Sequence, residues 1–193
     1  MSNKNKIGSF LINVYSIIRR PVNKAINIII TNKLADVPDI DFENTYAKMS
    51  ENVFRQEIMS FPYQYDPLGG LIDFTFLNPK YFFWKELEFG RDCDSFSYMW
   101  YLYHIFNGRK AWIYVVIPDY DIKKAHAICI TKKENGRYEF FDYHMTDSSD
   151  TLKGLLEVYY DRFYAPAGYK TISYGIMKRN KTKEQVKELM NKF

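Results

Sequence analysis

The chain has 193 residues, 47% of them hydrophobic and 26% charged, which is enough for one domain with a sizeable core. Two cysteines exclude a disulfide framework and make a reducing compartment the default. The net charge is +4, but residues 1–35 hold six basic residues and no acid, so the body is net acidic and no nucleic-acid-binding surface is expected. Aromatic content is 18%, which suits a core or a groove built of large amphipathic rings.

Ile7, Phe10, Leu11, Val14, Ile17 and Ile18 recur at helical spacing, with Asn and Arg opposite. Pro21 breaks this helix or opens a second one, in which Val22, Ile26, Ile29 and Ile30 continue the stripe. No apolar run reaches the roughly 18 residues that span a bilayer. No signal-peptide pattern is visible either, so a cytoplasmic or virion-associated protein is expected. The stripe can pack on the domain, lie on an anionic membrane surface, or dock a protein partner through residues 7–30. The acidic residues 33–43 read as a linker. The expected division is a basic helical segment with its linker over 1–40 and one domain over 41–193.

Residues 44–60 carry a helical stripe of Tyr46, Met49, Val53, Phe54 and Ile58. Pro62, Pro67, Gly69 and Gly70 mark a loop, residues 71–77 have strand content, and Asn78-Pro79 is a turn. Such a long irregular stretch often carries a site.

Residues 90–107 are the centre of the chain. Phe96, Met99, Trp100, Tyr103 and Phe106 predict an amphipathic helix that starts at Cys93, with Asp92 or Asp94 as cap. A thiol at a helix N-terminus feels the positive end of the dipole, which favours thiolate. The unpaired first amides of the helix can hold an oxyanion. This is the layout of a cysteine nucleophile. Further on, residues 111–117, 125–132 and 137–143 predict strands. Residues 151–163 predict a helix and 170–177 another strand. Thr182 and Gln185 make a capping box for a C-terminal helix. Helices, then the cysteine helix, then an antiparallel sheet give an α+β fold.

The second strand carries His126 and the third Asp142. A two-residue Asn135-Gly136 loop would put them on opposite faces. A three-residue loop, Glu134-Asn135-Gly136, pairs Lys133 with Arg137 and Ile128 with Asp142, and puts them on one face as diagonal neighbours. Gly136 supplies the left-handed residue that such a loop ends on, so the three-residue form is predicted.

Cysteine opening a helix, histidine on a strand and an acid on the next strand resembles the papain-like order. The words Gly90-Arg91-Asp92-Cys93-Asp94-Ser95-Phe96-Ser97, His126-Ala127-Ile128-Cys129-Ile130 and Phe140-Phe141-Asp142-Tyr143 look like the transglutaminase-like superfamily, especially its bacterial and phage cysteine-peptidase-like members. The resemblance covers roughly residues 45–145. It implies a papain-like core in which the Cys93 thiolate attacks an acyl carbon, His126 moves the proton and Asp142 orients the imidazole. One oxyanion donor would be the Cys93 amide. The papain-like glutamine is missing, since Leu87 stands six residues before the cysteine. Gln64, Trp84 or a nearby tyrosine is the candidate second donor.

The same residues have plain structural readings. Cys93 can be packing, His126 a satisfied core histidine and Asp142 a turn cap. His144 competes as a base, His104 rides the cysteine helix and Cys129 reads as core. Three scattered histidines without a ligand-spaced cysteine pair make metal binding a poor fit, so no metal is expected, and no phosphate-cradling glycine loop is present, so no cofactor is expected. Two functions follow: a thiol hydrolase or acyltransferase acting on amides of a protein or peptide, or a catalytically silent transglutaminase-like scaffold docked by its N-terminal helices.

Overall fold

The structure, a computed structural model, describes residues 37–65, 78–86, 90–143 and 145–190. The stripe of residues 7–30, the strand expected at 71–77 and His144 lie outside the described residues.

Residues 37–43 differ from the linker that their charge suggests. Val37 and Phe42 are buried. Phe42 lies 5.5–6.3 Å from the rings of Phe106, Tyr46, Phe54 and Phe83. Two acids beside them, Asp39 and Glu43, meet bases from distant segments at the surface. Asp39 pairs with Lys80 at 2.8 Å, and Glu43 pairs with Lys183 and with Lys187. Acidic composition thus conceals an apolar alternation.

The helix expected over 44–60 is two pieces. One π-type turn, Glu43–Ala47, comes first. The break follows because Ser50 caps a new helix, α1 (Glu51–Met59), by accepting from the Val53 amide at 3.4 Å. Asn78-Pro79 is also a helix start and not a plain turn. Asn78 Oδ1 accepts from the Lys80 amide at 3.0 Å, and Pro79 opens the short α2 (Pro79–Phe82).

Helix α3 (Cys93–Phe106) is buried on every side from Asp94 to Ile105, beyond the single stripe expected. Its polar tips make this possible by finding backbone acceptors. Tyr103 donates to Met49 O at 3.0 Å, Tyr101 to Arg179 O at 3.1 Å, and the Trp100 indole to Tyr143 O at 3.3 Å.

The α+β architecture is a five-stranded antiparallel sheet with α3 packed on one face. The strands are β1 (Lys110–Pro118), β2 (His126–Lys132), β3 (Tyr138–Asp142), β4 (Met145–Ser149) and β5 (Ile172–Lys178), ordered β4-β3-β2-β1-β5. Strand β4 is absent from the sequence expectation. Its Met-Thr-Asp-Ser-Ser has little strand propensity, and it forms as a half-buried edge on β3. Between β4 and β5, Thr151 Oγ1 caps α4 (Leu152–Tyr159) through the Gly154 amide at 3.0 Å, and a π-type turn, Tyr160–Tyr164, extends it. The capping box forms as expected: the Thr182 amide donates to Gln185 Oε1 at 3.0 Å and the Gln185 amide to Thr182 Oγ1 at 3.3 Å. It opens α5 (Lys183–Met190), which buries Val186 against the α3 core.

Strand alternation divides two cores. Ala111, Ile113, Ala127, Cys129 and Phe141 face α3. Tyr114, Val116, Ile128, Ile130 and Phe140 face α4 with Leu155, Leu156 and Tyr159. No helix among the described residues is long and apolar enough to cross a membrane.

Candidate active site

Asp92 is the N-cap of α3 by position, but its carboxylate does not close the first turn. That turn is held by the Phe96 amide on Asp92 O at 3.0 Å and by the Ser95 hydroxyl, which donates to Gly90 O at 2.7 Å. Gly90 takes a φ of +75°, which a residue with a Cβ rarely adopts. Cys93 is left half-buried as the first residue of the helix, while Cys129 is buried in the core as expected. One turn along, the Ser97 hydroxyl donates to Ala127 O at 2.9 Å and pins the head of α3 to the head of β2.

The β2–β3 hairpin takes the three-residue loop. The Lys133 amide donates to Arg137 O at 2.9 Å, and Cys129 pairs with Phe141. Gly136 closes the loop with a φ of +85°. His126 and Asp142 therefore share a face. His126 Nε2 lies 2.7 Å from Asp142 Oδ1, and Cys93 stands close enough to act on the same imidazole, whose Nδ1 is not the atom on Asp142. The ring is 29% exposed and the carboxylate 9%. Burial disfavours the imidazolium. The negative charge of a Cys93 thiolate and the hydrogen bond to Asp142 outweigh it, and His126 is held well above the ordinary histidine range. A chain of thiol, imidazole and carboxylate can form a thiolate–imidazolium pair and move a proton at Nδ1.

Asp142 has another partner that spacing does not reveal. The Tyr159 hydroxyl donates to Asp142 Oδ2 at 2.7 Å, and Tyr159 is 2% exposed. Burial, then the Asp142 charge, pushes Tyr159 far above the usual phenol range. In the sequence Tyr159 is one ring in an apolar stripe, and nothing there marks its hydroxyl.

Gln64 and Trp84 both contact Arg91, Gln64 through its backbone amide and side-chain oxygen and Trp84 through its backbone carbonyl. The Gln64 amide donates to Arg91 O at 2.9 Å, and Gln64 Oε1 accepts from Arg91 Nη1 at 3.0 Å. The Trp84 carbonyl accepts from Arg91 Nη2, and Phe82 O accepts from Arg91 Nε at 2.8 Å. A side chain near the Cys93 amide is Tyr63, whose hydroxyl lies on that side of the helix start. Burial, then the charges of Cys93 and Asp92, raise Tyr63 well above the usual phenol range. Its ring stacks on Phe96 at 6.1 Å and meets the Tyr143 ring edge-on at 6.0 Å.

His104 is packed inside the core between Trp100 and Phe141 and takes no part in this cluster. No group of residues that could hold a metal ion occurs among the described residues. Comparison with models of known protein families, with curated proteins and with solved structures finds no match to this chain.

Proposed function

We propose that this chain is a cysteine-dependent hydrolase or acyltransferase with a papain-like, transglutaminase-like core, acting on amide bonds of a protein or peptide. The observation that carries the proposal is the single imidazole shared by Cys93 and by Asp142 Oδ1 at 2.7 Å. In this reading the Cys93 sulfur bonds to the carbonyl carbon and the carbonyl electrons move to oxygen. The oxyanion takes the Cys93 amide. The C–N bond then breaks as His126 Nδ1 passes its proton to the leaving amine. Water or a second amine, deprotonated by His126, attacks the thioester and releases Cys93. Asp142 holds the imidazole tautomer throughout.

One observation favours a second reading, a silent scaffold for binding or assembly docked through residues 7–30. The Tyr63 hydroxyl stands beside the Cys93 amide, where an oxyanion would have to sit. Alkylation with iodoacetamide at pH 6 separates the two, read by intact mass. Cys129 is 0% exposed, so a single adduct reports on Cys93. The expected rate is roughly tenfold or more above that of a free thiol, whose thiolate fraction at pH 6 is well under a per cent. H126A should bring it back to the free-thiol rate. A wild-type rate no faster than a free thiol would sink the nucleophile.

A further inference from the structure

Asp χ2 is a broad, two-fold torsion, so the stereochemistry of aspartate does not fix the plane of its carboxylate. A hydrogen bond weakens steeply as that plane turns. Asp142 Oδ1 can face His126 Nε2 reliably only if something holds Oδ2. That atom receives the Tyr159 hydroxyl at 2.7 Å. Tyr159 comes from α4, on the far side of the sheet from α3, and its ring is fixed by Phe140 at 5.0 Å and Phe163 at 4.7 Å. Asp142 ends β3, where one flanking strand residue alone would leave it loose.

Resting on the catalytic reading above, we infer that Tyr159 is a positioning residue of the site: its hydroxyl sets the Asp142 carboxylate plane and so the orientation of His126. Among the described residues, the titratable groups facing Asp142 are His126 from β2, Cys93 from the head of α3, Tyr159 from α4 and Tyr164 from the turn after it. Tyr159 is the phenol whose hydroxyl bonds the carboxylate. A neutral donor suits the role. It anchors one oxygen without cancelling the charge that the imidazolium needs.

The test is Tyr159→Phe, which keeps the packed ring and removes only the hydroxyl. The first readout is the His126 titration followed by imidazole 15N shifts, assigned with H126N. The midpoint should fall by about one pH unit, roughly what one charge-assisted hydrogen bond supplies. The second is Cys93 alkylation at pH 6, which should slow about tenfold. In a D142A background, Y159F should change neither readout, because its effect passes through Asp142. An unmoved His126 midpoint in Y159F would reduce Tyr159 to packing. A rise would mean that the hydroxyl draws charge from Asp142 and does not orient it. Additive effects with D142A would also overturn the inference. The His126 titration is read whether or not Cys93 is reactive, so failure of the alkylation test in the wild type leaves this one standing.

Discussion

Replacing Arg91 with methionine should be the most damaging single change near the site, although the bonds of Arg91 go to none of Cys93, His126 and Asp142. Its side chain is 1% exposed. It binds the carbonyls of Phe82 and Trp84 and the side chain of Gln64, and its guanidinium lies 4.9 Å from the Phe61 ring. Burial pulls its pKa down to about 10, which leaves it charged at neutral pH. Methionine fills the volume but strands one buried and two half-buried acceptors, at about 1–3 kcal/mol for a fully buried one and less for the others. With two backbone carbonyls and one amide oxygen affected, the expected loss is about 3–5 kcal/mol. At about 2–4 °C per kcal/mol, that lowers Tm by roughly 10 °C or more. Urea unfolding followed by circular dichroism measures it. R91K, with one ammonium for three acceptors, should fall between the two. Because Arg91 also holds the strand-like bridge to Gln64, the neighbouring Tyr63 should loosen, and the pH-6 alkylation rate of Cys93 should change along with stability. If R91M unfolds within about 1 kcal/mol of the wild type, Arg91 is not the staple described here.

Two further predictions concern pH and the hairpin. Burial, then the charges of Arg109 and Lys133, hold His104 well below the ordinary histidine range. Its contribution is therefore lost as pH falls from about 6.5 toward the folded value, with a slope of up to about 1.4 kcal/mol per pH unit. His126 is raised, so its contribution is full below about 6.5 and is lost as pH rises through the folded value. Urea midpoints from pH 5 to 9 should show an acid slope that H104F removes and an alkaline slope that H126N removes; slopes that survive both variants would refute the assignment. Gly136→Ala should cost only about 1 kcal/mol, the penalty of a left-handed backbone, because nothing lies within 4 Å of an added Cβ. Since the register is also fixed by buried Ile128, Ile130 and Phe140, alkylation of Cys93 in G136A should be unchanged; a lost reaction would show that the loop alone sets the register.

The hairpin was legible because its determinants are local. A three-residue loop with Gly136 last, together with strict alternation, forces Ile128 opposite Asp142, and the structure pairs the strands in that register. The start of α3 at Cys93 and the capping box at Thr182 were legible for the same reason. What stayed hidden depends on partners far away in sequence. Phe42 is apolar among acids and enters the core against Tyr46, Phe54, Phe83 and Phe106, all but Tyr46 distant in sequence, while Lys80, Lys183 and Lys187 pair with the acids at the surface. Strand β4 has no propensity of its own and exists because β3 offers it an edge. Arg91, two residues before Cys93, ties the end of α2 and Trp84 to Gln64. Tyr159 is indistinguishable from a core ring until its hydroxyl meets Asp142.

The face rule for His126 and Asp142 is necessary but insufficient. By alternation both belong with Ile128, Ile130 and Phe140, on the face covered by α4, whereas α3 lies on the other face with Ala127, Cys129 and Phe141. Mid-strand, the sheet would separate such a histidine from Cys93. The two come close because all three residues stand at element ends: Cys93 begins α3, His126 begins β2 and Asp142 ends β3. Past those ends no backbone intervenes, and the side chains meet across the end of the sheet. The Ser97 hydroxyl on Ala127 O sets how far α3 reaches there, one turn from Cys93 and one residue from His126. The site therefore draws on both cores at once. The α3 side brings the thiol and the α4 side brings the Tyr159 hydroxyl. The hairpin between them carries the imidazole and carboxylate that connect the two.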